Sequence, residues 1–190
     1  MGSLSSLKFV TSNSLKFLAA SQACREHNIT LDQANVDFIE IQSDNGEDIA
    51  RHKAAAAFAE LQSPVVVSDD TWSIPGLGGF PGPYMKSINQ WFTPADFLRL
   101  TVDLTDRRII LRQEVVFQDA TQQKAFAIDT PCLLLKEIRG ASIYTHLTVT
   151  SVDGQHSLAE VIATSGTSLP GALGVWQELC EWLDSKPDAQ

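Results

Sequence analysis

Cysteine is scarce in this chain. Cys24, Cys132 and Cys180 are odd in number, far apart and outside any C-x-x-C pair. That argues against a disulfide scaffold or a zinc knuckle and predicts buried thiols in a reducing, cytoplasmic compartment. The four histidines, His27, His52, His146 and His156, lack metal-ligand spacing such as H-E-x-x-H. Positive charge is also short, with 14 Lys and Arg against 23 Asp and Glu and a net charge of −9. A general nucleic-acid or anionic-membrane surface needs an attractive basic face, so neither is expected. A small anion remains open, because a pocket needs few cations. No apolar run approaches the length that crosses a bilayer, and there are no repeats or linkers. Met1-Gly2-Ser3-Leu4-Ser5-Ser6 fits the loose N-myristoylation pattern and equally a cloning scar; a single acyl chain would anchor only weakly. What is present is 190 residues with 44% hydrophobic content. That suffices for one substantial core and one domain over residues 1–190, with room for two lobes.

Along the chain, Leu7–Thr11 reads as a strand entering a polar turn, and a helical pattern runs from Ser14 toward Asn28. Val36–Gln42 alternates and predicts a second strand. Glu47–Leu61, acidic first and alanine-rich later, predicts a helix. Val65-Val66-Val67 within Pro64–Ser68 suits a short buried strand. The Gly/Pro segment Pro75–Pro83 predicts a shaped loop, and Ser87–Leu100 a helix interrupted near Thr93-Pro94. Arg107–Gln118 and Lys124–Ile138 read as long strands with a hairpin around Asp119–Gln122; Ile143–Ser151 reads as a further strand. Pro170–Leu183 closes as an amphipathic helix, with Leu173, Trp176, Leu179, Cys180 and Leu183 at helical spacing. This order implies an α/β domain with a mixed sheet.

Four segments resist explanation as packing. Thr11-Ser12-Asn13-Ser14 with Lys16 leads a strand into a helix N-terminus, where free N–H groups suit an anion. An N-cap with a solvated lysine explains it equally. Glu47-Asp48 opens the next helix, with Lys53 further along, and acidic residues there suit the dipole regardless of function. Ser68-Asp69-Asp70-Thr71 follows Val65–Val67, so two carboxylates sit at the strand's C-terminal end, where open α/β sheets bind ligands. Such oxygens suit Mg²⁺ or a water-activating base; a solvated turn is the alternative. Leu77-Gly78-Gly79-Phe80-Pro81-Gly82-Pro83-Tyr84-Met85-Lys86 is a stiff loop able to hold a lysine against phosphate. The combination carries the weight.

In this order the four segments resemble the inosine triphosphate pyrophosphatase family: strand then T-G-N-x-x-K, an acidic helix start, (D/E)-D-(S/T), then L-G-G-x-P-G-x-Y. The resemblance covers the chain through about residue 100. It implies an elongated mixed β-sheet with flanking helices, two lobes around a central nucleotide cleft, and a homodimer. It also implies Mg²⁺-dependent hydrolysis of the α–β phosphoanhydride of a nucleoside triphosphate to monophosphate and pyrophosphate. Thr11, Ser12, Asn13, Lys16, Thr71 and Lys86 then line the phosphates, with Lys16 also catalytic. Asp48 and Asp70 hold Mg²⁺, Glu47 is a substitute ligand, and Asp69 orients or activates water. Lys53 neutralises phosphate or fixes the carboxylates. The metal and lysines together would stabilise the transition state and the leaving pyrophosphate.

The departures lie mostly in the second half. Ser12 replaces the family glycine, Asp48 its glutamate and Ile49 the asparagine after it. The aromatic-Gly-aromatic-Asp-Pro motif falls at Tyr144-Thr145-His146-Leu147-Thr148, which puts His146 at the second aromatic and Leu147 at the aspartate. Ala159-Glu160 keeps an A-E pair, and S-H-R becomes Ser168-Leu169-Pro170, without the His-Arg pair that reads a purine's carbonyl edge. Backbone groups, or His146 with Trp72, remain to build a different base pocket by stacking. An altered or relaxed base preference is therefore expected. The alternatives are a catalytically weak nucleotide-binding paralogue with a regulatory or partner-binding role, and a septum-inhibitor-type pyrophosphatase, which fits the first half less well.

Overall fold

The structure is a computed structural model that describes residues 6–37, 39–166 and 169–186. The myristoylation pattern at Met1–Ser5 and the expected role of Ser168 fall outside them. Two compact units divide the chain, one of residues 1–69, 113–128 and 170–190, the other of residues 70–112 and 129–169.

The first unit begins with β1 (Ser6–Val10), whose Leu7 and Phe9 are buried, and α1 (Ser14–Glu26). Asn13 caps α1: its Oδ1 accepts from Lys16 N at 3.1 Å. The chain returns directly from α1 to β2 (Thr30–Ala34), parallel to β1, so the second strand is not Val36–Gln42 as expected. None of residues 36, 37 and 39–42 is in a strand, and Ile39 is 88% exposed. Backbone pairing on the edge of β1 outweighs the apolar alternation of the later segment.

α2 (Gly46–Leu61) starts at Asn45, whose side chain accepts from Glu47 N, and ends at a left-handed Gln62. β3 runs Val65–Ser73, β5 Arg108–Gln118 and β6 Gln123–Leu134. On β3, Val66 packs with the buried faces of α1 and of α6 (Ala172–Asp184), whereas Val65 and Val67 pack with Ala50, Ala54 and Ala57 of α2. On β5, Val115 and Phe117 join the first cluster and Val116 the second. Period-two alternation thus puts α1 and α6 on one face of the sheet and α2 on the other.

The second unit holds β4 (Pro81–Gly82), α3 (Met85–Trp91), α4 (Pro94–Thr101), β7 (Thr150–Ser151) and α5 (Leu158–Ser165). Its core gathers Trp72, Ile74, Phe97, Ile109, Leu111, Leu134, Leu147 and Leu158. The expected strand Ile143–Ser151 is a 3-10 turn, Thr145–Thr148, followed by the two residues of β7. Threonine hydroxyls bend the chain: Thr148 Oγ1 donates to Thr145 O and Thr150 Oγ1 to His146 O, both at 2.8 Å. α5 is additional to the expected elements, although its capping box, Ser157 with Glu160, is written in the chain. The sheet order is β2-β1-β3-β5-β6-β7, with β4 on β3, and it mixes parallel and antiparallel pairs. The fold is mixed α/β, as expected.

Candidate active site

β3 does not end at Ser68. It continues through Asp69, Asp70 and Thr71 to Ser73, because Trp72 and Ser73 pair antiparallel with Gly82 and Pro81. The two carboxylates are therefore strand residues and leave opposite faces of it. Asp69 shares the parity of Val65 and Val67, the face covered by α2, and there it meets Lys53. Lys53 Nζ lies 2.8 Å from Asp69 Oδ2 and 3.1 Å from Glu40 Oε1, and its side chain is only 12% exposed. Burial alone would depress the Lys53 pKa. The charges and hydrogen bonds of Asp69 and Glu40 outweigh it and raise the pKa above the ordinary value. One buried ammonium thus braces two carboxylates.

Glu40 was missed in the sequence. It lies in the stretch that resembled a strand, and an isolated glutamate carries no positional signal. Asp48 is exposed and accepts from Ser43 Oγ at 3.2 Å. Glu47 is engaged by Arg51 one turn on, at 2.7 Å, and Arg51 reaches Gln123 at 3.0 Å. Of the two acidic residues opening α2, Glu47 thus carries its own cation. In the same unit the Thr11–Asn13 turn is held by its own polar groups: Asn13 N donates to Thr11 Oγ1 at 3.1 Å, and Gln33 Nε2 to Thr11 O at 2.8 Å. Ser12 is exposed, and α1 has no acidic residue in its first turn, so the partial positive charge of its N-terminus is not offset there.

The second unit carries Asp70, Thr71 and Lys86. Thr71 Oγ1 is buried without a hydrogen-bond partner among the described residues. Lys86 is exposed in the first turn of α3. The loop before it is shaped by its own backbone: Gly79 N donates to Ile74 O at 3.0 Å and Ile74 N to Phe80 O at 3.0 Å. Gly79 holds φ +95° with no atom within 4 Å of a built Cβ, so conformation and not space demands glycine.

Of the second-half residues that depart from the family pattern, His146 and Leu147 serve as core. His146 is 4% exposed, packs edge-on to Trp72 at 4.8 Å and has Nδ1 3.1 Å from Asn89 Oδ1. Burial pushes its pKa down to about 3. Trp72 is 2% exposed, so the two rings pack edge to face within the core and offer no stacking face, contrary to the expected pocket. Tyr144, at 41% exposed, is the accessible ring of that segment. Leu147 is buried in the second unit's core and Leu169 packs against it.

Among the described residues no three His, Cys, Asp or Glu side chains converge as a metal cage. Mg²⁺ does not require one, because one or two carboxylates suffice when waters and substrate phosphates complete its octahedron. Exposed Asp48 in the first unit and half-buried Asp70 in the second are each carboxylates of the type that Mg²⁺ takes as ligands.

These features define a mixed α/β protein with an acidic, lysine-braced site on β3 and α2 and a helix α1 whose first turn holds no acidic residue. The chain belongs to the Ham1 family, whose model matches residues 7–144. A dITP/XTP pyrophosphatase of Saccharolobus solfataricus is 30% identical over 69% of this chain and 68% of its own length. An inosine triphosphate pyrophosphatase of Phaeosphaeria nodorum is 28% identical over 96% of both. The structure of a HAM1 protein from Coxiella burnetii superposes with a TM-score of 0.76 at 17% identity, covering 95% of this chain and 99% of that one.

Proposed function

We propose that the chain is a Mg²⁺-dependent nucleoside-triphosphate pyrophosphatase with an altered base preference. Relatives named for dITP, XTP and inosine triphosphate support the reaction class. The observation that carries it is the Lys53 clamp on Asp69 and Glu40, since a structural scaffold has little use for a largely enclosed ammonium between two carboxylates.

In this reading Asp69, oriented by Lys53, accepts a hydrogen bond from the attacking water and aims it at phosphorus. Water oxygen bonds to the α-phosphorus as one of its protons passes to the Asp69 carboxylate, the bond from the α-phosphorus to the bridging oxygen breaks, and pyrophosphate leaves with that electron pair. Asn13, Lys16, Thr71 and Lys86 hold the phosphate oxygens, aided by the backbone of Thr11 and Ser12. Asp48 and Asp70 would hold Mg²⁺, which when bound supplies charge neutralisation for the phosphates. Glu47, paired with Arg51, takes a supporting place and Asp48 the leading one.

Base preference rests on a different observation. Leu147 fills the second unit's core and Leu169 packs against it, at positions where the family pattern has base-reading groups, and neither supplies a side-chain hydrogen bond to a purine edge. The test is pyrophosphate release from inosine, xanthosine, adenosine, guanosine and pyrimidine triphosphates, with and without Mg²⁺. Metal-dependent turnover with weak discrimination is expected. No turnover of any triphosphate would favour a nucleotide-binding paralogue, and strong inosine and xanthosine selectivity would sink the altered preference.

A further inference from the structure

Away from the acidic site, the first unit holds two thiols in contact. Cys24 on α1 and Cys180 on α6, 156 residues apart, have their Sγ atoms 3.7 Å from each other. Both are free and fully buried. They share one core cluster with Ala20 and Ala23 of α1 and Val175, Trp176 and Leu179 of α6.

Three features separate this pair from thiols that merely fill a core. The first is distance: a disulfide needs about 2.05 Å between sulfurs, so a side-chain rotation with a small helix shift closes the gap. The second is chemistry. The Cys180 S–H donates to Cys24 Sγ, and that hydrogen bond holds the Cys24 thiol below its ordinary range despite burial. The same contact, reinforced by burial, pushes Cys180 up. Cys24 is thereby the nucleophile and Cys180 the resolving thiol. The third is position. One turn beyond each cysteine, exposed Asp184 meets His27 at 2.6 Å, tying the same two helices. Helix ends open at low free energy, and opening there admits a small reagent. Cys132, in the other unit, has no second thiol beside it among the described residues, and burial pushes it up to about 11.

We propose that Cys24 and Cys180 are a redox-sensitive pair, oxidised to an intramolecular disulfide by a small peroxide. The Cys24 thiolate attacks one oxygen of hydrogen peroxide; an S–O bond forms, the O–O bond breaks, and hydroxide leaves to become water. Cys180 sulfur then attacks the Cys24 sulfenic sulfur; the S–S bond forms, the S–O bond breaks, and the departing hydroxide takes the Cys180 proton. Two thiols lose two electrons and two protons, and one peroxide becomes two waters. The bond ties α6 to α1, the helix whose N-terminal end carries Lys16.

The test exposes the full chain to hydrogen peroxide, then denatures it, alkylates remaining thiols and maps peptides by mass. Expected are one alkylated cysteine, Cys132, and a Cys24–Cys180 linked peptide lighter by two hydrogens. Dithiothreitol should restore all three thiols, and the oxidised form should melt roughly 5–15 °C higher, since the closed loop is long. In Cys180→Ser, dimedone should instead trap a Cys24 sulfenic acid. Three alkylatable thiols in the treated wild-type chain, or links through Cys132 or between chains, would overturn the proposal. The peptide map of the wild-type chain decides the matter even if that variant does not fold.

Discussion

At the residue scale, Lys53 is the side chain whose surroundings say most. Removing it takes away the ammonium that Asp69 and Glu40 share. Lys53→Met should lower kcat for triphosphate hydrolysis on the order of 10²-fold, whereas Glu40→Gln, at a half-exposed position, should cost much less. Equal losses in steady-state kinetics would mean that Glu40 shares the work of Asp69. Asp70→Asn should remove most activity and weaken the Mg²⁺ dependence, read from rates across a metal titration; near-normal turnover would refute its assignment as a ligand. His146 makes a prediction about stability. Its folded pKa is depressed to about 3 from 6.5. Below pH 6.5 the unfolded chain therefore binds a proton that the native state refuses. Stability from this group is complete above about pH 6.5 and lost progressively as pH falls toward 3, by on the order of 5 kcal/mol in full. Urea midpoints from pH 7 to 4 should fall less steeply in His146→Phe than in the parent chain. Parallel slopes would show that the histidine does not carry the effect.

At the element scale, α5 depends on a cap that does double duty. Ser157 Oγ accepts from Glu160 N at 3.1 Å and donates to Arg139 O at 2.8 Å, and the residue is fully buried. Ser157→Ala should destabilise the chain by roughly 1–2 kcal/mol, measured as a lower denaturant midpoint, while leaving turnover of the remaining folded protein unchanged. A neutral result would mean water replaces both bonds. The capping box was legible in the chain as S-x-x-E, and the alanine-rich α2 was legible from composition. The displaced β2 and the short β7 were not. Pairing partners and threonine back-bonds decide strand limits, and neither leaves a trace in local alternation.

At the scale of the whole molecule, the family membership places the chain among nucleoside-triphosphate pyrophosphatases. The homodimer implied by the family resemblance is a proposal with a simple readout. Sedimentation equilibrium should give twice the 20.8 kDa chain mass, and a single-chain mass would remove it.

The sequence by itself determined the class of fold and the order of its main elements through residue 134. Those depend on local periodicity, caps and residue type, which are written one after another along the chain. Only the tertiary structure decided that Asp69 belongs to Lys53, that Glu40 completes the clamp and that Glu47 is taken by Arg51. It also decided that His146 and Trp72 fill the core together. Strand parity sends two adjacent aspartates to opposite faces, and which face meets a lysine depends on the helix packed there. That pairing joins residues distant in sequence, so no local pattern carries it.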